Sequence, residues 1–208
     1  MRFTEYLKYT NSSRRITESS LETVQPKNKD ELVRILQNYF DIEEPDWKCD
    51  LNWIDTSKIT DMSNLFSHGL ESSGGLGLGR FNGDISGWDV SNVKSMECMF
   101  MNSYFNGDIS KLNTSKVENM ESMFANSKFN GDISKWDVSN VETMRSMFED
   151  SVFNRDISRW TPKSLDTLIV CLQNLSSTEI FQIFGTIVED MFKFSPLEDK
   201  EEFWPEKV

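Results

Sequence analysis

Histidine is almost missing from this chain: His68 is the only one in 208 residues. A Ser/His/Asp or Cys/His arrangement therefore has a single candidate base, and metal sites that need several imidazoles are excluded. Cysteine is scarce as well. Cys49, Cys98 and Cys171 are odd in number and widely spaced, which fits neither a disulfide framework nor a zinc pattern. Reduced thiols in a cytoplasm suit them best. Long apolar runs are absent: no stretch reaches the length of a membrane span, and the opening MRFTEYLKYTNSSRRITESS has no apolar core of signal-peptide length. Cations are the minority charge, 22 Lys and Arg against 34 Asp and Glu, for a net charge of −12. That balance argues against direct contact with nucleic acid or anionic membrane, both of which reward positive charge. Hydrophobic residues make up only 38%, so apolar positions must be used economically.

What the chain does have is repetition. Phe81 opens FNGDISGWDVSNVKSMECMF, Phe105 opens FNGDISKLNTSKVENMESMF, and Phe129 opens FNGDISKWDVSNVETMRSMF. A decayed copy, FNRDISRWTPKSLDTLIVCL, begins at Phe153, and the step is 24 residues each time. An earlier copy, WKCDLNWIDTSKITDMSNLF, begins at Trp47; its offset of 34 implies about ten inserted residues, the glycine- and serine-rich ESSGGLGLGR at 71–80. Five apolar columns run through the copies. The first is Trp47, Phe81, Phe105, Phe129 and Phe153, and the second is Leu51, Ile85, Ile109, Ile133 and Ile157. Ile59, Val93, Val117, Val141 and Leu165 form the third; Met62, Met96, Met120, Met144 and Leu168 the fourth; Phe66, Phe100, Phe124, Phe148 and Leu172 the fifth. One copy cannot enclose a core, but stacked copies bury each column on itself. The expected fold is therefore a leucine-rich-repeat-like solenoid with a short parallel strand near Val93–Phe100 and its equivalents, flanked by α-helical caps. Gly83, Gly107 and Gly131 are expected at a tight turn with positive φ.

The segments around the repeats complete the expected organisation. Residues 1–25 read as a flexible arm and 26–46 as an N-terminal helical cap, with the amphipathic NKDELVRILQNYF at Asn28–Phe40. The five copies occupy 47–174. A second amphipathic stretch, STEIFQIFGTIVEDMFKF at Ser177–Phe194, supplies a C-terminal cap within 175–194, and 195–208 is an acidic tail.

FNGDISKWDVSNVETMRSMF resembles the repeat of the BspA-like leucine-rich-repeat family, also met in some mycoplasma surface proteins and in viral or phage genomes. The likeness covers Trp47 to about Asn174 and implies a binding scaffold rather than a particular partner. Members are mostly described as surface proteins that bind host proteins or other cells. The chain shows no evident signal peptide, lipid-attachment cysteine or wall anchor, so the expectation here is a cytoplasmic bacterial, phage or other viral protein, in the host cytoplasm if viral.

No catalytic constellation emerges. His68 reads as a loop residue, Cys171 as core, and Cys98 as the occupant of a small-residue slot shared with Ser122 and Ser146. SSGGLGLGR lacks both the Walker lysine and the GxGxxG spacing. The aspartate row Asp50, Asp84, Asp108, Asp132 and Asp156 brings like charges together once per turn. Carboxylates about 5 Å apart repel by roughly 3 kcal/mol at an effective dielectric near 20, so something must offset them. Asx turns within each repeat do so more simply than a row of calcium ions, which want six to eight oxygens apiece. A second row, Asp55, Asp89 and Asp137, is interrupted by Asn113 and Thr161. Recognition is expected at the variable positions Lys94, Glu97, Glu118, Glu121, Glu142, Arg145 and Asp166, a mostly acidic stripe whose complement is a basic protein surface. The reading is a non-enzymatic protein-interaction module with no cofactor. Its alternatives are an acidic decoy of a nucleic-acid-binding protein and a structural or virion assembly subunit.

Overall fold

The computed structural model describes residues 23–41, 46–68 and 77–163. One α-helix stands among them, α1, Lys29–Phe40. Its start is fixed by local chemistry. The Asn28 side chain accepts from the Glu31 backbone N–H at 3.0 Å, and the Glu31 carboxylate accepts from the Lys27 N–H at 2.9 Å, so two orphan donors are satisfied. Asp30 and Glu31 place negative charge in the first turn, where the helix dipole favours it. Leu32, Ile35, Leu36, Tyr39 and Phe40 are buried along one face.

From Trp47 onward the chain coils in 24-residue turns stacked on one another. Backbone bonds join equivalent positions: Met62 N–H donates to Ser95 O at 2.9 Å, Met96 to Asn119 O at 2.8 Å, and Met120 to Thr143 O at 2.9 Å. Pairing is parallel but one residue long, as in the row of bridges Asp61, Ser95, Asn119 and Thr143. The expected leucine-rich-repeat-like solenoid with short parallel strands between α-helical caps is therefore overturned. The described residues hold one helix, isolated bridges and no sheet. The physical cause is the density of reversals. Tight turns close from Leu51 O to Ile54 N at 3.0 Å, from Thr56 O to Ile59 N at 2.9 Å, and from Met96 O to Met99 N at 3.1 Å. Cys98, Ser122 and Ser146 all adopt left-handed φ of 53°, so the stretch placed as a strand at Val93–Phe100 bends in its middle. The second helix, expected at Ser177–Phe194, lies outside the described residues, as do Leu165, Leu168, Cys171 and Leu172 of the columns.

The core is a double column of phenylalanine rings. Phe81, Phe105, Phe129 and Phe153 stack with centroids 5.9, 6.2 and 6.3 Å apart. Phe66, Phe100, Phe124 and Phe148 do the same at 5.6, 5.6 and 6.0 Å. The columns interlock through Phe66–Phe81, Phe100–Phe105, Phe124–Phe129 and Phe148–Phe153 at 4.5, 4.3, 4.2 and 4.1 Å. Each such ring removes apolar area worth about 1.5–3 kcal/mol from water, with a further ~0.5–1.5 kcal/mol for a well-placed aromatic pair. Helix α1 starts the stack. Its last residue, Phe40, lies 4.8 Å from Trp47 with planes 6° apart, the place a fifth-column phenylalanine takes in later turns. Residues ahead of the helix join too: Val24 N–H donates to Trp53 O at 3.1 Å, and Asp55 N–H to Val24 O at 2.9 Å.

Buried polar groups are spent on the same stacking. The indole N–H of Trp88, Trp136 and Trp160 donates to Leu51, Ile109 and Ile133 carbonyls at 3.0, 3.0 and 3.1 Å. The Thr56 and Thr114 hydroxyls donate to Asp89 O at 2.9 Å and Asp137 O at 2.8 Å, one turn on.

The glycines act differently from expectation. Gly83, Gly107 and Gly131 are not at positive φ; Gly77 is the glycine that is, among the described residues. They are needed for space. A Cβ on Gly83 would lie 2.0 Å from Cys49 O, and one on Gly107 would lie 2.9 Å from Gly83 O. The left-handed positions are held by residues with side chains, at a cost of about 1–2 kcal/mol each. Gly83→Ala should therefore destabilise the chain by about 1–3 kcal/mol, an overpacking cost. Ser122→Gly should be neutral or stabilising by up to about 1 kcal/mol. Urea unfolding of the two variants checks this; equal losses in both would contradict it.

Candidate interaction surface

The variable positions fall in two parallel rows, because the chain turns between them. In the first, Lys94 N–H donates to Thr60 O, Glu118 N–H to Lys94 O and Glu142 N–H to Glu118 O, each at 2.8 Å. In the second, the carbonyls of Glu97, Glu121 and Arg145 accept from the left-handed residues Asn64, Cys98 and Ser122 at 2.8, 2.9 and 2.8 Å. Backbone bonding thus holds both rows in register. Lys94, Glu142 and Arg145 are exposed, whereas Glu97, Glu118 and Glu121 are half-buried. Asp166 lies outside the described residues.

The edge is less acidic than its composition suggests. The Lys94 ammonium meets Glu118 at 2.9 Å, with side-chain exposures of 62% and 47%. Lys163 meets Glu142 at 2.6 Å, at 61% and 59% exposure. At such exposure water and salt screen the attraction, so these pairs set local charge more than stability. The hydrogen bond and charge of Glu118 raise the Lys94 pKa, and those of Lys163 lower that of Glu142. Glu97 accepts from Asn119 Nδ2 at 3.2 Å. Lys163 went unnoticed in the sequence because it replaces the serine of its column (Ser91, Ser115, Ser139) in the decayed copy, with no periodic signal.

The aspartate rows have a different occupation. Asp50, Asp84, Asp108, Asp132 and Asp156 each accept from the backbone N–H two residues on, at 2.7, 2.9, 2.9, 3.0 and 2.8 Å. Asp55, Asp89 and Asp137 do likewise with Ser57, Ser91 and Ser139 at 3.0, 2.9 and 3.0 Å, and Asn113 takes the aspartate's part toward Ser115 at 3.2 Å. A third row, not foreseen, has Asp61 accepting from Ser63 N–H and Asn119 from Glu121 N–H, both at 2.8 Å. These are the Asx turns the repulsion argument asks for. Bonds from Ser110 and Ser134 hold Asp108 and Asp132 below the usual carboxylate range, and Lys111 and Lys135 add to it. Asp84 repels Asp108 and Asp132 repels Asp156, yet both carboxyls end up lowered. Burial pushes Asp61 up, but bonds from Ser63 and the Lys29 ammonium at 3.0 Å outweigh it. Among the described residues no three His, Cys, Asp or Glu side chains gather into a metal-holding group.

Neither thiol in the described residues is activated. Burial pushes Cys49 up to about 11, and it also raises Cys98, helped by the charges of Glu97 and Glu121. His68 is exposed at the edge of the first turn, where its N–H donates to Met101 O at 3.0 Å.

Stacked 24-residue turns carrying variable side chains on a constant frame define a repeat-type protein. The chain belongs to the family described as Mycoplasma protein of unknown function, DUF285, a BspA-like repeat family, whose model matches residues 24–127 and again 76–180. The matched region opens at Val24, where the chain first bridges to the stack. Two overlapping placements are what internal repetition allows. No curated protein and no solved structure matches the chain. No helix among the described residues is long and apolar enough to cross a membrane.

The lowered aspartates make stability pH-dependent with a definite sign. Their folded pKa values lie below the unfolded ones, so the stabilisation is present above the ordinary value near 4 and is lost as pH falls through the folded values. The melting temperature should hold from about pH 7 to 5 and drop below about pH 4. A flat profile down to about pH 3 would contradict the Asx-turn account.

Proposed function

We propose that this chain is a protein-interaction module without catalytic activity, acting in a cytoplasm, whose partner presents a basic surface to the edge of Lys94, Glu97, Glu118, Glu121, Glu142 and Arg145. The observation that carries the reading is the division of labour within each turn. Nearly every other position is committed to rings, turns or stacking bonds, whereas these side chains vary from turn to turn and face outward from a backbone bonded in register. A fixed frame with variable display is how a repeat protein acquires a binding preference. FNGDISxWDVSNVxxMxxMF is read here as the family's own unit, with x marking display positions.

Charge decides between classes of partner. A net charge of −12 disfavours nucleic acid and anionic lipid as direct ligands. An acidic decoy of a nucleic-acid-binding protein needs an unbroken carboxylate row, and the Lys94–Glu118 and Lys163–Glu142 pairs interrupt it. The raised thiols of Cys49 and Cys98 suit a reducing compartment and disfavour nucleophilic catalysis. The test compares the native chain with a Glu118→Lys, Glu121→Lys, Glu142→Lys variant as baits, after melting curves show that both are folded. The native chain should retain a basic partner that the variant loses by at least about tenfold in affinity, with binding weakened by salt. Equal retention on both baits would overturn the assignment of this edge.

A further inference from the structure

Asn82, Asn106 and Asn130 are each followed by glycine and occupy the same place in successive turns. Their side chains face one turn on. Asn82 Oδ1 accepts from Asn106 N–H at 2.8 Å, Asn106 Oδ1 from Asn130 N–H at 2.8 Å, and Asn130 Oδ1 from Asn154 N–H at 3.1 Å. Asn130 is held twice, since its Nδ2 also donates to Asn154 Oδ1 at 2.8 Å. The fourth member of the column, Asn154, precedes Arg155 instead of glycine.

An Asn-Gly pair is the context in which asparagine most readily modifies itself, because a glycine without Cβ leaves its own backbone nitrogen unhindered. That nitrogen attacks the asparagine Cγ. The new C–N bond closes a five-membered succinimide, the Cγ–Nδ2 bond breaks, and Nδ2 leaves as ammonia with the glycine amide proton. Water then opens the ring at either carbonyl to give aspartate or isoaspartate. The balance is one water in and one ammonia out. Closure requires Cγ to swing onto the following nitrogen, which the bond from Oδ1 to the next turn opposes. Glycine is retained here for space, as the approach of Gly83 to Cys49 O and of Gly107 to Gly83 O shows, so the reactive pair is built into the frame of the repeat.

We propose that Asn82, Asn106 and Asn130 are self-modification sites whose conversion to isoaspartate is held off by the hydrogen bond from each side chain to the next turn, so that modification marks a turn that has opened. The rate follows the population of the open turn, as with amide exchange. Conversion is one-way. Isoaspartate adds a methylene to the main chain and so disturbs the 24-residue register, and each event adds a carboxylate close to the aspartate row. The experiment incubates the full chain at mildly alkaline pH, folded or in guanidinium chloride, and maps succinimide, aspartate and isoaspartate at each site by peptide mass spectrometry. The folded chain should convert at all three sites at least about tenfold more slowly than the unfolded chain. Asn154→Ala removes one of the two bonds holding Asn130, so it should accelerate Asn130 severalfold while Asn82 and Asn106 keep their rates and report an intact fold. Equal rates in folded and unfolded chain would overturn the proposal. So would an Asn130 rate unchanged by Asn154→Ala in a chain whose other two sites stay protected.

Discussion

Ring stacking between turns is the interaction on which the rest of this structure depends. A turn of 24 residues with one-residue bridges has little hydrogen-bonded cohesion of its own. Phe124 shows what replaces it. Fully buried, it stacks on Phe100 at 5.6 Å, on Phe129 at 4.2 Å and on Phe148 at 6.0 Å, and so touches three turns at once. Interlocked rings set the spacing and azimuth of successive turns. The Trp and Thr bonds to neighbouring carbonyls then become geometrically available, because their donors are already in position.

A ring stack has ends, and the first is closed by borrowed parts. Helix α1 delivers Phe40 against Trp47, Val24 supplies a bridge, and Lys29 and Gln25 bond Asp61 and Asp55 of the first turn at 3.0 and 2.6 Å. The helix is therefore continuous with the stack in its chemistry. Its amphipathic face covers apolar columns, while its flanks satisfy two of the aspartate rows.

The columns were legible because repeated packing demands repeated side chains, and Phe, Ile, Val and Met recur at a fixed step. The Asx turns were legible in part: Asp84-Ile-Ser86 and Asp89-Val-Ser91 carry their local signature, whereas the row through Asp61 and Asn119 changes residue type and hid. The strand was misjudged because apolar spacing says nothing of reversals, and no pattern marks Cys98 or Ser122 as left-handed. The glycines were explained by the wrong freedom. What excludes a side chain at Gly83 is Cys49 O, 34 residues earlier in the chain, a contact across turns that local sequence does not carry. Phe40 was missed because it sits outside the repeat, although an aromatic shortly before Trp47 echoes the Phe100–Phe105 spacing. The variable edge was found, but its pairing was not, since Lys163 reaches Glu142 only once the turns are stacked.

The aspartate rows, the asparagine column and the variable edge are then consequences of one frame. Each uses the same register for a different end: local turn closure, turn-to-turn locking, and outward display. Native-state hydrogen exchange tests that frame most directly. The account expects protected amides to recur every 24 residues, at Phe100 and Phe124, and at Lys94, Glu118 and Glu142, where the bonds cross between turns. Protection confined to Lys29–Phe40, with fast exchange throughout 46–163, would contradict it.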